Sequence, residues 1–171
     1  RGTAEPLLEW LSPVLSAENR RRRRLQFAVC ALSDIAWRDH PDYRASFAFD
    51  RTLEYPFFGI DHTERAFIAL AVYIRYGGKT SDARVTHIGS LLSKRAIRRA
   101  ETLGSGLRLA YRISAGNPEL LEHARLHIKN NQLSLVLPGG GAAPTRDRAK
   151  RSFERLCQAR KIKMGSITEA R

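Results

Sequence analysis

Apolar positions change their spacing twice along the chain, and each change predicts a different element. Leu7, Leu8, Leu11, Val14 and Leu15 recur at the i, i+3, i+4 spacing of an amphipathic helix, which Pro13 weakens or ends. Residues 25–37 are apolar almost throughout, interrupted only by Gln26, Ser33 and Asp34, and predict a helix buried on all sides. Ser16 is the expected cap at its start, with Asn19 standing where Glu or Gln usually completes a capping box. Pro41 forces a break after it. Residues 47–55 mix aromatic and charged side chains without a clean period. A second all-round apolar helix is predicted over residues 66–76, capped by Asp61 or Thr63, helped by Glu64 at the favourable end of the dipole, and stopped by Gly77 and Gly78. Residues 85–115 are amphipathic, with Gly104 and Gly106 expected to mark a kink or a break between two helices.

Beyond Gly116 the spacing becomes that of strands. Leu126 and Ile128, then Leu133, Leu135 and Leu137, alternate with polar or small residues across Asn130 and Asn131, two residues that tolerate the left-handed backbone of a tight hairpin. A Gly- and Pro-rich loop over residues 138–144 leads into a basic helix over residues 145–161. Residues 164–171 carry little that would order them. The expected class is mainly α: a helical domain over residues 1–115, followed by a small α/β subdomain, hairpin plus helix, over residues 116–171.

A hydrophobic content of 43% in 171 residues is that of a folded chain. The longest unbroken apolar run, residues 66–74, falls well short of the roughly 20 residues that span a bilayer, so no membrane segment is expected. The chain opens Arg-Gly-Thr-Ala-Glu-Pro and has Met164 as its single methionine, which reads as a piece of a longer protein. Cys30 and Cys157 have neither metal nor redox spacing and imply no oxidising compartment, so a cytoplasmic location is expected.

Charge changes the picture most. Thirty Lys and Arg against seventeen Asp and Glu give a net charge of +13, a field that attracts polyanions. The cations are clustered. Arg20, Arg21, Arg22, Arg23 and Arg24 form one group, Lys94, Arg95, Arg98 and Arg99 a second, and Arg146, Arg148, Lys150 and Arg151 a third. The first group opposes the dipole of the helix it opens, so its residues answer to solvent or to an anion rather than to helix stability. Guanidinium matches phosphate oxygens with paired hydrogen bonds, which points to a phosphate-rich partner. Gly139, Gly140 and Gly141 before a helix could cradle a phosphate, but no Gly-Lys-Ser/Thr follows, and a plain turn is the simpler reading. Ser33, Ser90 and Ser93 lack a nucleophile-elbow context, and no catalytic residue is assigned.

Asp34 poses the sharpest question, since a carboxylate inside an apolar helix must be paired, hydrogen-bonded or metal-bound. The run Cys30-Ala31-Leu32-Ser33-Asp34-Ile35-Ala36-Trp37 resembles the core helix of the HD-domain superfamily, with Ser33 where a metal-binding histidine would stand. His40, His62 and Asp61 are the available recruits, at spacings that pattern does not require. The expectation is a degenerate metal position at Ser33 and Asp34, with no metal, and an Asp34 that is buried and held by a helix end or an arginine.

A second landmark, residues 59–65 leading into Ala69-Leu70-Ala71-Val72-Tyr73, together with Gly106-Leu107-Arg108-Leu109-Ala110-Tyr111 and the hairpin-helix ending, resembles the C-terminal half of the exopolyphosphatase and guanosine pentaphosphate phosphatase family. The resemblance covers about residues 7–160. It implies an HD-like helical domain followed by a small strand-containing one, lying behind an actin-like half that carries the catalytic carboxylates and magnesium. On that reading this region has no cofactor of its own, magnesium serves the full-length enzyme, and the partners are inorganic polyphosphate or another polyanion, the actin-like half and, as an open alternative, a second copy of the chain. Polyphosphate would meet Arg20 to Arg24 with Lys94, Arg95, Arg98 and Arg99. Two rivals stay open: a metal-dependent HD phosphohydrolase with an atypical site, and a basic nucleic-acid-binding module.

Overall fold

The computed structural model describes residues 3–16 and 19–170. Eight helices and three strands are found there in the order α1 (Ala4–Leu11), α2 (Arg20–Ala31), α3 (Arg44–Glu54), α4 (His62–Arg75), α5 (Ala83–Gly89), α6 (Lys94–Ser114), α7 (Pro118–Glu122), β1 (Arg125–Lys129), β2 (Gln132–Leu137), α8 (Ala143–Arg160) and β3 (Lys163–Glu169). The protein is mainly helical with a small sheet, as the periodicity predicts. No helix among the described residues is long and apolar enough to cross a membrane.

Helix α4 is the centre of the core. Every residue from Ala66 to Ile74 is buried, because α3 covers one side of the helix while α6 and α2 cover others. Its start is fixed by a complete capping box: the Asp61 side chain accepts from the Glu64 backbone N–H, and the Glu64 carboxylate accepts from that of Asp61. Helix α6 runs continuously through Gly104 and Gly106, so there is no break between two helices at these glycines. Both glycines serve packing. A Cβ at Gly104 would lie 2.5 Å from the Ala71 carbonyl oxygen, and one at Gly106 would lie 2.5 Å from a methyl of Leu11, so their small size lets α4 and α1 approach. The interruption lies earlier, at residues 90–93, where the Ser93 side chain accepts from Ala96 N–H and starts α6.

Other sequence expectations are corrected. Residues 25–37 are not one buried helix: α2 ends at Ala31, consecutive turns follow, and Trp37 is 58% exposed. The Ser33 hydroxyl donates to the Cys30 carbonyl oxygen at 2.6 Å, the kind of local side-chain bond that competes with helix continuation. The cap of α2 is Asn19, which accepts from Arg22 N–H, rather than Ser16. Residues 44–54 form α3, whose buried Ala48, Phe49 and Thr52 make one narrow stripe.

Strands β1 and β2 pair antiparallel about Asn130 and Asn131, whose φ values of 51° and 57° make the predicted tight hairpin. Helix α8 then lies along α6 and returns the chain to β3, which joins β2 in parallel to give the order β1-β2-β3. That third strand is a correction to the expected unordered tail. Its signal is weak because it is an edge strand with only Ile167 and Gly165 half-buried. Two long-range bonds close the molecule: Trp10 Nε1 donates to the Ala124 carbonyl, and Arg160 Nε donates to that of Val14, both at 2.9 Å.

Candidate functional site

The capping box of α4 positions the first arginine group. Arg21 donates from Nε to Glu64 at 2.5 Å and from a terminal nitrogen to Asp61 at 2.6 Å, tying the first turn of α2 to that of α4. Asp61 is held below the usual carboxylate range chiefly by the Glu64 backbone N–H, with Arg21 adding to it. Burial works to raise Glu64, but the Arg21 hydrogen bond and the Asp61 backbone N–H outweigh it and the group ends lowered. Arg24 is also committed, donating to the Gly59 carbonyl oxygen at 2.8 Å. Arg23 lies 4.0 Å from Glu5, and Arg20 is exposed. Five consecutive arginines therefore do at least two jobs.

Arg22 points elsewhere. It lines a cleft of about 430 Å³ between the start of α2, the first turns of α4 and α6, and the end of α8, and it shares that cleft with Arg95, Arg98, Arg99 and Arg160. Two clusters far apart in sequence thus meet on one concave surface. The floor is apolar and includes Leu25, Phe67 and Leu103, while Thr63, Glu64 and Thr102 add polar atoms. Among the described residues no carboxylate lies within ion-pair distance of Arg95 or Arg98, and both are exposed. Such unneutralised guanidiniums beside an open cleft suit a multiply charged anion. Lys94 is exposed at the first position of α6 and does not line the cleft. Arg160 was not foreseen, because it lies at the far end of the basic helix, outside the three arginine groups, and its place at the cleft goes with a distant bond from its Nε to the Val14 carbonyl.

The Ser33 and Asp34 position has been rebuilt around an internal cation. Arg75 is 12% exposed in its side chain, lies against the rings of Tyr76 and Tyr111, donates from Nε to the Ser33 carbonyl oxygen at 3.1 Å, and approaches Asp34 Oδ1 at 3.9 Å. The Ser33 hydroxyl and the Tyr111 hydroxyl share a 2.9 Å hydrogen bond. Asp34 has the arginine partner that was expected, but it is not buried: 45% of its side chain is exposed, since it sits on a turn and not within a helix. A divalent ion does not fit this donor set, because the one carboxylate already faces a guanidinium and serine replaces imidazole. His40 is exposed and accepts from Asp42 N–H, and His62 is exposed at the first turn of α4. No group of three or more metal-binding side chains comes together among the described residues.

The remaining candidates are structural. Burial pushes the Cys30 thiol up to about 12 and the Cys157 thiol up to about 11, far from the thiolate a nucleophile needs. Gly139 fits against the Ala170 carbonyl oxygen, where a Cβ would come within 2.8 Å, and Gly140 has a φ of 78°, so the glycine run forms a turn at the end of the sheet.

The family model described as exopolyphosphatase, C-terminal, matches residues 4–165. Among curated proteins no relative matches the chain.

Proposed function

The chain belongs to the exopolyphosphatase C-terminal family, and from that we propose that it is the non-catalytic region with which an exopolyphosphatase holds inorganic polyphosphate, the hydrolysis itself being carried out by a separate N-terminal half. The observation that carries this reading is the convergence of Arg22, Arg95, Arg98, Arg99 and Arg160 on one cleft of about 430 Å³. A phosphate chain is flexible, uniformly charged and without bases, so it is best held by several guanidiniums at modest spacing, none of them decisive alone. Magnesium would belong to the catalytic half, since the donors at Ser33 and Asp34 do not suit a divalent ion.

Nucleic acid is the competing polyanion, because the same field would bind it with a salt-dependent, sequence-independent affinity. The cleft has Phe67 in its floor and no exposed pair of aromatic rings on which bases could stack, which favours the phosphate chain. Competition tests this directly. Long polyphosphate should displace single-stranded RNA from the protein at equal phosphate concentration, and the displacement should weaken when Arg95 and Arg98 are both changed to Gln. Persistent preference for RNA would overturn the assignment.

A further inference from the structure

A second group of arginines, scattered in sequence, is assembled by the pairing of α6 with α8. Arg108 and Arg112 project from α6 one turn apart, and Arg148, Arg151 and Arg155 face them from α8. Among the described residues none of these five has a carboxylate within ion-pair distance. Arg108 is the most enclosed. Burial, with Arg112, Arg155 and Arg75 as further positive neighbours, lowers its guanidinium to about 10, and nothing offsets that. Its terminal nitrogen occupies the place of a side chain at Gly77, where a Cβ would lie 2.2 Å away; Gly77 has a φ of 102° and ends α4. The carbonyl end of α4 offers partial negative charge to Arg108. One helix end supplies about half an elementary charge, too little for the whole group.

Arg108 and Arg155 line a recess of about 410 Å³ in which Glu101 is the one acidic residue among those described, and its carboxylate accepts from the Thr80 hydroxyl at 2.9 Å. Lys79, Ser105 and Ser152 also line it. The recess therefore combines two unneutralised guanidiniums, an ammonium and hydroxyl donors, the groups that bind phosphoryl oxygens, with room for a small hydrated anion. It shares no lining residue with the arginine cleft.

We propose that this recess between the end of α4, α6 and α8 is a distinct site for a small phosphate anion, of the orthophosphate or pyrophosphate class, held by Arg108 and Arg155. Assembling like charges without a counter-ion is unfavourable, and a bound oxyanion removes that repulsion while accepting hydrogen bonds the guanidiniums otherwise make only to water. The inference does not depend on polyphosphate occupying the arginine cleft.

Calorimetric titration of the full chain with inorganic pyrophosphate at low salt tests it. Binding is expected, with Arg155→Gln and Arg108→Gln each weakening it by about tenfold or more, as for loss of a charge-assisted bond. Arg95→Gln with Arg98→Gln, in the cleft, should leave the Arg155-dependent part of the binding unchanged. Arg155 is exposed, so its variant keeps the test valid if the Arg108 variant fails to fold. Absence of pyrophosphate binding, binding indifferent to Arg155→Gln, or binding lost only with the cleft variants would each overturn the site.

Discussion

The guanidinium of Arg75 lies 3.8 Å from the ring centroid of Tyr111. The Tyr76 ring lies 4.2 Å away, Asp34 faces its charge, and the Ser33 carbonyl oxygen accepts from its Nε–H. An arginine here does the structural work that a bound cation does elsewhere: it draws the turn after α2 onto the ends of α4 and α6. Arg75→Met should therefore destabilise the fold by roughly 2–4 kcal/mol, the sum of a desolvated cation–π contact and a charged hydrogen bond, read from the urea midpoint. Manganese or magnesium should leave the melting temperature of the unaltered protein where it was. A rise of several degrees would show a metal site at Asp34 after all.

Acid should loosen the junction of α2 and α4. Asp61 and Glu64 are both lowered from ordinary values of 3.8 and 4.5, so the folded state binds fewer protons than the unfolded chain. Their stabilisation is complete above about pH 4.5 and is lost as pH falls through the lowered folded values. Arg21→Gln should flatten the dependence of stability on pH in that window, measured by urea unfolding between pH 2 and 5. An unchanged slope would mean Arg21 is a solvated charge.

At Gly104 two effects compete. Replacing a helical glycine by alanine gains about 1 kcal/mol of helix propensity. The added Cβ, however, would meet the Ala71 carbonyl at 2.5 Å and Ile74 Cβ at 2.8 Å, backbone and near-backbone atoms that cannot swing aside. Overpacking of this kind costs about 1–3 kcal/mol. Gly104→Ala should thus lower the thermal midpoint, whereas Gly89→Ala, with nothing within 4 Å, should not.

Polyphosphate affinity should respond to charge in aggregate. Arg95→Gln with Arg98→Gln should reduce the slope of log affinity against log salt by about one per cation removed. Either change alone should cost about 1 kcal/mol or less, as for other screened contacts. Fluorescence anisotropy with an end-labelled chain at several salt concentrations reads both quantities.

Neither thiol should react with a disulfide reagent in the native protein, since Cys30 and Cys157 are buried and raised to about 12 and 11. Reaction should track global unfolding in urea.

Much of the helical frame could be read from residue order. Asp61 or Thr63 announced the start of α4 because capping is local chemistry, with Asp61 taking the role, and Asn130 with Asn131 announced the hairpin because positive φ restricts the residues that fit. What could not be read was set by distant partners. Residues 47–55 have no visible period, because only Ala48, Phe49 and Thr52 face α4 and the other aromatic side chains stay outside. β3 was illegible because its stability comes from the edge of β2 rather than from its own apolar pattern. The arginine groups were visible as runs, but a run does not say which members are used internally. Arg21 and Arg24 are, while Arg22 reaches the cleft. Arg108 and Arg112 lie one turn apart on α6, but that Arg155 joins them could not be read, because it approaches them only across the packing of α6 with α8.

The bond from Arg160 to the Val14 carbonyl joins residues 146 positions apart, and that from Trp10 to Ala124 joins residues 114 apart. During synthesis α1 is made before α2 to α8 and the sheet, yet the groups that bond to it and to the turn after it, at Ala124 and Arg160, are made more than a hundred residues later. At about 5–20 residues per second, those two bonds wait several seconds or more to form. Contacts of such long range also slow folding, because the loop must close before it is rewarded. A helix made early among these elements is thus among the last to gain all of its partners.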